Sequence, residues 1–189
     1  MKQLPPLLFT NPAHFSIRHS TLVRTDLDCV GHRYAEYATV LIRDIITSGV
    51  VSISISLCKL PKFFWHAQLS FGFMDSSFPV PKVGCALGNS VKNSVGLSSN
   101  GNLNFNTPSS NSFEDCHSEL KEGDCVRMEV DLDSTPRTVQ FFVNGEAGRC
   151  YVSGIPSSVR IGDTSFRIDN ISRISQPTPI SEGMNEVKC

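Results

Sequence analysis

The stretch 123–145, GDCVRMEVDLDSTPRTVQFFVNG, constrains the fold more than any other. Val126, Met128, Val130 and Leu132 alternate with Arg127, Glu129 and Asp131. That is the two-residue period of a strand with one buried face. Asp133-Ser134-Thr135-Pro136 is turn chemistry, because Asp bonds its own backbone and Pro cannot donate to a ladder. Thr138 to Val143 is rich in β-branched and aromatic residues, and alternation puts Val139, Phe141 and Val143 on one side. Asn144-Gly145 supplies the positive φ of a tight hairpin turn. Two strands alone are marginal in water, so the rest of the chain must supply their sheet.

It does so in short pieces. In VVSISISL, Val51, Ile53, Ile55 and Leu57 share one face, while Ser52, Ser54 and Ser56 share the other. A serine-lined face suits either a surface or close packing against another layer. Leu69, Phe71 and Phe73 fall together, and Gly72 between two Phe predicts close backbone approach. Thr39 to Arg43 reads as a strand, although Ala35, Ala38, Leu41, Ile42 and Ile45 also fit helical spacing. Short alternating pieces within 15–24, and others near Val95, Leu103, Tyr151, Val159 and Phe166, complete the set. Residues 1–14 read as a lead-in, 106–118 as a polar surface loop and 172–189 as a tail. The domain then spans 15–171. Many short strands and turns, with no convincing amphipathic helix and no fixed repeat, predict an all-β, antiparallel β-sandwich.

Charge narrows the partners. A net charge of −1 over 189 residues gives no general electrostatic reason to bind nucleic acid or an anionic membrane. The longest apolar region, Val40 to Leu57, contains Arg43 and Asp44 and does not suit a membrane span. The apolar LPPLLF near the N-terminus is too short for a signal-peptide core. The seven cysteines are scattered and odd in number, with no C-x-x-C pair. Cys58, Cys125 and Cys150 lie in or beside strand-like runs and read as small buried residues. A reducing, cytoplasmic setting is the expectation.

Several motifs occur in a telling order. Ser70-Phe71-Gly72-Phe73 comes first, then Val95-Gly96-Leu97 with Asn100-Gly101. Glu122-Gly123-Asp124-Cys125-Val126, Asp131-Leu132-Asp133 and VQFFVNG at 139–145 follow, then Ile155-Pro156 and Val159-Arg160-Ile161-Gly162. Each is weak alone, but their order and spacing resemble a SPRY domain over 49–171. The segment 161–166 leaves a shorter connection than the family has. The resemblance implies a concanavalin-like β-sandwich that acts without catalysis, binding a protein or peptide partner through loops at one end.

Phe63-Phe64-Trp65-His66 is the leading candidate contact. Three successive aromatics cannot all face one way in a strand, so at least one is expected at the surface, where Trp and Phe serve as interface anchors. Two of the three are expected to pack inward. Phe78, between Ser77 and Pro79, is a second candidate, equally suited to plugging the sandwich.

Other constellations carry less. Asp124, Asp131 and Asp133 lack the dense spacing of a calcium loop and suit turns and strand ends, so no metal site is expected. Cys116-His117 has no third orienting group, and no G-x-S-x-G, Walker or G-x-G-x-x-G motif occurs, so no catalytic residue and no cofactor are expected. Glu129 and Asp131 share a strand face, but a hydrolase would need a carboxylate on a facing strand. The alternative is a carbohydrate-binding, lectin-like sandwich using Phe63-Phe64-Trp65 and the Asn-rich segment 100–111.

Overall fold

The computed structural model describes residues 7–9, 15–18, 21–24, 40–42, 45–57, 70–79, 87–89, 91–108, 111–163 and 167–189. They form strands and no helix. In chain order these are β1 (Leu7–Phe9), β2 (Phe15–Arg18), β3 (Thr21–Arg24), β4 (Val40–Ile42), β5 (Val50–Ser56), β6 (Ser70–Asp75), β7 (Ser94–Ser98), β8 (Asn102–Asn106), β9 (Asn111–Asp115), β10 (Cys125–Asp131), β11 (Thr138–Val143), β12 (Glu146–Ser153), β13 (Val159–Asp163), β14 (Arg167–Ile174) and β15 (Asn185–Lys188). One sheet runs β1-β4-β13-β6-β7-β8-β9 and the other β15-β12-β11-β10-β5-β14-β3-β2. Every pairing is antiparallel except β12 with β15.

The 123–145 stretch is the hairpin β10–β11, in the register Val126↔Val143 to Asp131↔Thr138. Residues 132–137 join its strands, and Asn144 and Gly145, with φ of 52° and 90°, turn β11 into β12. Its other neighbour is β5, Val130 opposite Val51 and Met128 opposite Ile53, so two period-2 patterns align on one face. That face meets Phe71, Phe73, Val95 and Leu97 of the first sheet in the main core. Phe71 and Phe141 touch edge-to-face across the sandwich, ring centres 6.3 Å apart. Gly72 pairs with Gly96, and a Cβ on Gly72 would lie 2.7 Å from the Gly96 Cα. The close backbone approach expected at Gly72 is therefore between β6 and β7.

Four details differ from the sequence reading. Part of 106–118 is not loop but β9, the edge of the first sheet. All five of its residues are exposed, so no buried face imposed an apolar alternation. Residues 7–9, within the lead-in, form β1 against β4. The tail contributes the end of β14 and all of β15. Cys125 is exposed rather than buried, because it opens β10 on the side away from the core. Cys150 is buried, as expected, and Cys58 lies outside the described residues. β13 itself is internal to the first sheet, lying between β4 and β6.

The outward faces are also covered. On the first sheet, Leu41 and Met74 join Leu87, Val91 and the half-buried Phe78 in a second, smaller cluster. On the second, the chain after β14 crosses outside β10 and β11 before adding β15 beside β12. Glu129 accepts hydrogen bonds from the Thr178 amide (2.8 Å) and hydroxyl (3.1 Å), and Gln140 donates to the Thr178 carbonyl at 2.6 Å. Glu129 is only 3% exposed and also ion-pairs with Arg127, whose guanidinium lies 3.8 Å from the Phe142 ring centre.

Candidate functional site at the loop end of the sandwich

Strand direction places several turns at one end. Asp75 ends β6 and pairs with Val159, the first residue of β13. β7 begins and β8 ends at the same side, since β6, β7 and β8 are successive antiparallel neighbours. In the second sheet, Thr138 opening β11 pairs with Ser153 closing β12. Between these ends lies a pocket of about 250 Å³. Phe73, Val95, Ile155 and Pro156 give it apolar walls, and Asp75, Asn93, Thr107 and Arg137 add polar groups.

Local bonds set these groups. Asp75 Oδ1 accepts from the Ser77 amide (2.9 Å) and hydroxyl (2.8 Å), holding the turn after β6. The Asp75 amide donates to the Asn93 carbonyl at 2.9 Å, and Asn93 takes the positive φ of 51° tolerated by its short polar side chain. Arg137 donates its Nε to the Ile155 carbonyl at 2.9 Å, tying the entry of β11 to the β12–β13 turn. Cys189 completes the wall, and burial pushes its thiol up to about 11, so it is neutral there. The pocket thus offers apolar walls with a carboxylate and a guanidinium in the same cleft. Its volume suits a side chain or two rather than a whole cofactor, which fills pockets of about 300–1,000 Å³.

Of the residues singled out in the sequence, Phe63, Phe64, Trp65 and His66 lie outside the described residues. Phe78 packs on the outer cluster and is not among the pocket's lining residues, whereas Asp75, three positions earlier, is. Sequence reasoning missed Arg137, Asn93 and Thr107. Each stands beside a turn, and only that position hinted at a role. The aspartates take turn roles. Asp131 accepts from the Asp133 and Ser134 amides, Asp133 from Gly49, and Asp124 from Lys121 and Asn144. Among the described residues, no group of three or more His, Cys, Asp or Glu side chains is gathered for a metal. No described helix is long and apolar enough to cross a membrane.

Two facing, mostly antiparallel sheets with a cleft among their end loops define a concanavalin-like β-sandwich. The fold is SPRY-like: the chain aligns with a human SPRY domain at 14% identity and a TM-score of 0.57, over 85% of this chain and 93% of that one. It aligns with the SPRY domain of human HERC1 at 16% identity and a TM-score of 0.56, over 87% and 93%. The metal-free carbohydrate recognition domain of Emp46p aligns at 8% identity and a TM-score of 0.55, over 88% and 85%. At these identities the likeness is one of fold. No protein-family model and no curated protein matches the sequence.

Proposed function

We propose that the protein is a non-catalytic interaction module that binds a protein or peptide segment at the loop end of its sandwich. The observation that carries this reading is the cleft between the two sheets. Its apolar walls, Phe73, Val95, Ile155 and Pro156, suit an apolar anchor side chain. Asp75 and Arg137 suit the polar and charged groups that flank such an anchor. Rigid strands hold the turns that carry these groups, the arrangement in which loops bear recognition. Phe63, Phe64, Trp65, His66 and Phe78 belong to the same proposal as outlying contacts.

Selection of a random peptide library on the full chain tests it, with a glycan array run in parallel. A peptide consensus is expected, with affinity falling about tenfold or more in Arg137→Ala, the scale of one lost charged contact. The affinity is measured well below that variant's melting temperature, because it also loses the bond to Ile155. Trp65→Ala reports the outlying contact in the same assay. A specific sugar with no peptide consensus would replace this reading with the lectin-like one.

A further inference from the structure

At the margin where the first sheet's edge strand meets the second sheet, two buried cysteines come together. Cys116 follows β9 and Cys150 lies in β12, and they are 1% and 0% exposed. The Arg149 amide donates to the Cys116 carbonyl at 2.8 Å, and the Cys116 thiol approaches the Cys150 carbonyl at 3.6 Å. Around them, the Arg149 guanidinium holds Asp115 at 2.5 Å and the His117 carbonyl at 3.3 Å, and His117 Nε2 donates to the Phe141 carbonyl at 3.2 Å. β12 has its bulge here, between the pairings of Gln140 and Phe142. Gly148 lies in that bulge, and a Cβ there would stand 2.6 Å from Cys116 Sγ and 2.7 Å from His117 Nε2.

We propose that Cys116 and Cys150 are an oxidisable dithiol that closes to a disulfide under a peroxide oxidant, stapling β9's end to β12. The Arg149–Cys116 backbone bond and the 3.6 Å approach of the Cys116 thiol to the Cys150 carbonyl bring the two residues together, as a disulfide with its Cα span of about 4.4–6.8 Å requires. Cys116 is the attacking sulfur. The hydrogen bond from the Cys150 thiol lowers its pKa first, burial opposes this, and the Cys150 backbone and the Arg149 charge lower it further. Cys150 is raised, chiefly by the same thiol–thiol bond and by burial, and stays protonated.

In the first step the Cys116 thiolate attacks one peroxide oxygen of hydrogen peroxide. An S–O bond forms, the O–O bond breaks, and hydroxide leaves, giving a sulfenic acid. In the second, the Cys150 sulfur attacks Cys116 Sγ. The S–S bond forms, the S–O bond breaks, and the Cys150 proton leaves with the hydroxide as water. The hydroxide of the first step takes up the proton lost when Cys116 ionised. Two thiols are oxidised by two electrons and one peroxide becomes two waters. The site lies just beneath the exposed Asp115 and Arg149 and beside the half-exposed His117, close enough to solvent for so small an oxidant. The disulfide closes a loop that contains the whole β10–β11 hairpin.

The test treats the folded full chain with hydrogen peroxide, then alkylates under denaturing conditions and maps peptides by mass. The expected result is a dominant Cys116–Cys150 linked peptide, lighter by two hydrogens and reversed by dithiothreitol. It should be absent from Cys150→Ser, where Cys116 instead takes up a sulfenic-acid trap. The oxidised chain should melt higher by roughly 5–10 °C. Another pairing dominating, or Cys116 and Cys150 remaining alkylatable after the exposed Cys125 has reacted, overturns the proposal.

Discussion

His117 shows how one side chain ties local chemistry to the fold. It stands half-exposed beside Cys116, its Nε2 bonded to the Phe141 carbonyl. Burial lowers its pKa below the ordinary 6.5, the bond to Phe141 opposes this, and the Arg149 charge lowers it further. The unfolded chain therefore takes up the proton first as the pH falls. The stability associated with neutral His117 is complete above pH 6.5 and is lost as the pH falls from there through the folded value. Melting temperatures at about pH 7.5 and pH 5.5 should fall further for the native chain than for His117→Gln. Equal falls would show that this proton does not couple to folding. Gly148 belongs to the same scale, since any larger residue in the bulge would displace Cys116 or His117.

At the scale of elements, the crossing of the C-terminal segment over β10 and β11 matters most. Glu129 points away from the core and yet is buried, because Thr178 covers it and donates two hydrogen bonds to it. Gln140 completes the clasp from β11. Glu129→Ala would strand the Thr178 amide and the partly buried Arg127 guanidinium together. A loss of roughly 2–4 kcal/mol in urea unfolding is expected. A loss below about 1 kcal/mol would mean that the clasp is no stronger than an ordinary surface pair. Little of this was legible beforehand. The alternation of Arg127, Glu129 and Asp131 reads as an exposed face, and nothing local announces a covering strap. β9 escaped for the opposite reason, since an exposed edge strand needs no apolar period.

For the whole molecule, the sandwich stands on the interlock of its two inner faces. Phe141 from β11 meets Phe71 from β6 at the centre, and Phe141 is fully buried. Phe141→Ala removes the ring that joins the two layers, and a destabilisation of roughly 3–5 kcal/mol follows from lost burial and the remaining cavity. Thermal unfolding checks this, and a cost under about 1 kcal/mol would show that the two sheets close over the gap. The core was the most legible part of the fold, because Val126, Met128, Val130, Val139 and Phe141 carry their facing in their spacing. The candidate pocket was much less so. Phe73 was visible as a strand residue and Ile155-Pro156 as a motif, but Arg137, Asn93 and Thr107 gain meaning only where six chain segments come together.

From the sequence alone came the strand class, the central hairpin, the Asn144-Gly145 turn that follows it, the inner face and the SPRY resemblance. These rest on the pleat and on turn dihedrals, which relate residues only a few positions apart. Tertiary structure alone decided that Glu129 is buried, that β15 lies parallel beside β12, that Cys116 meets Cys150 across 34 positions, and that a cleft opens between the loop ends. Each depends on which distant segments come together, and a two-residue period carries no record of that.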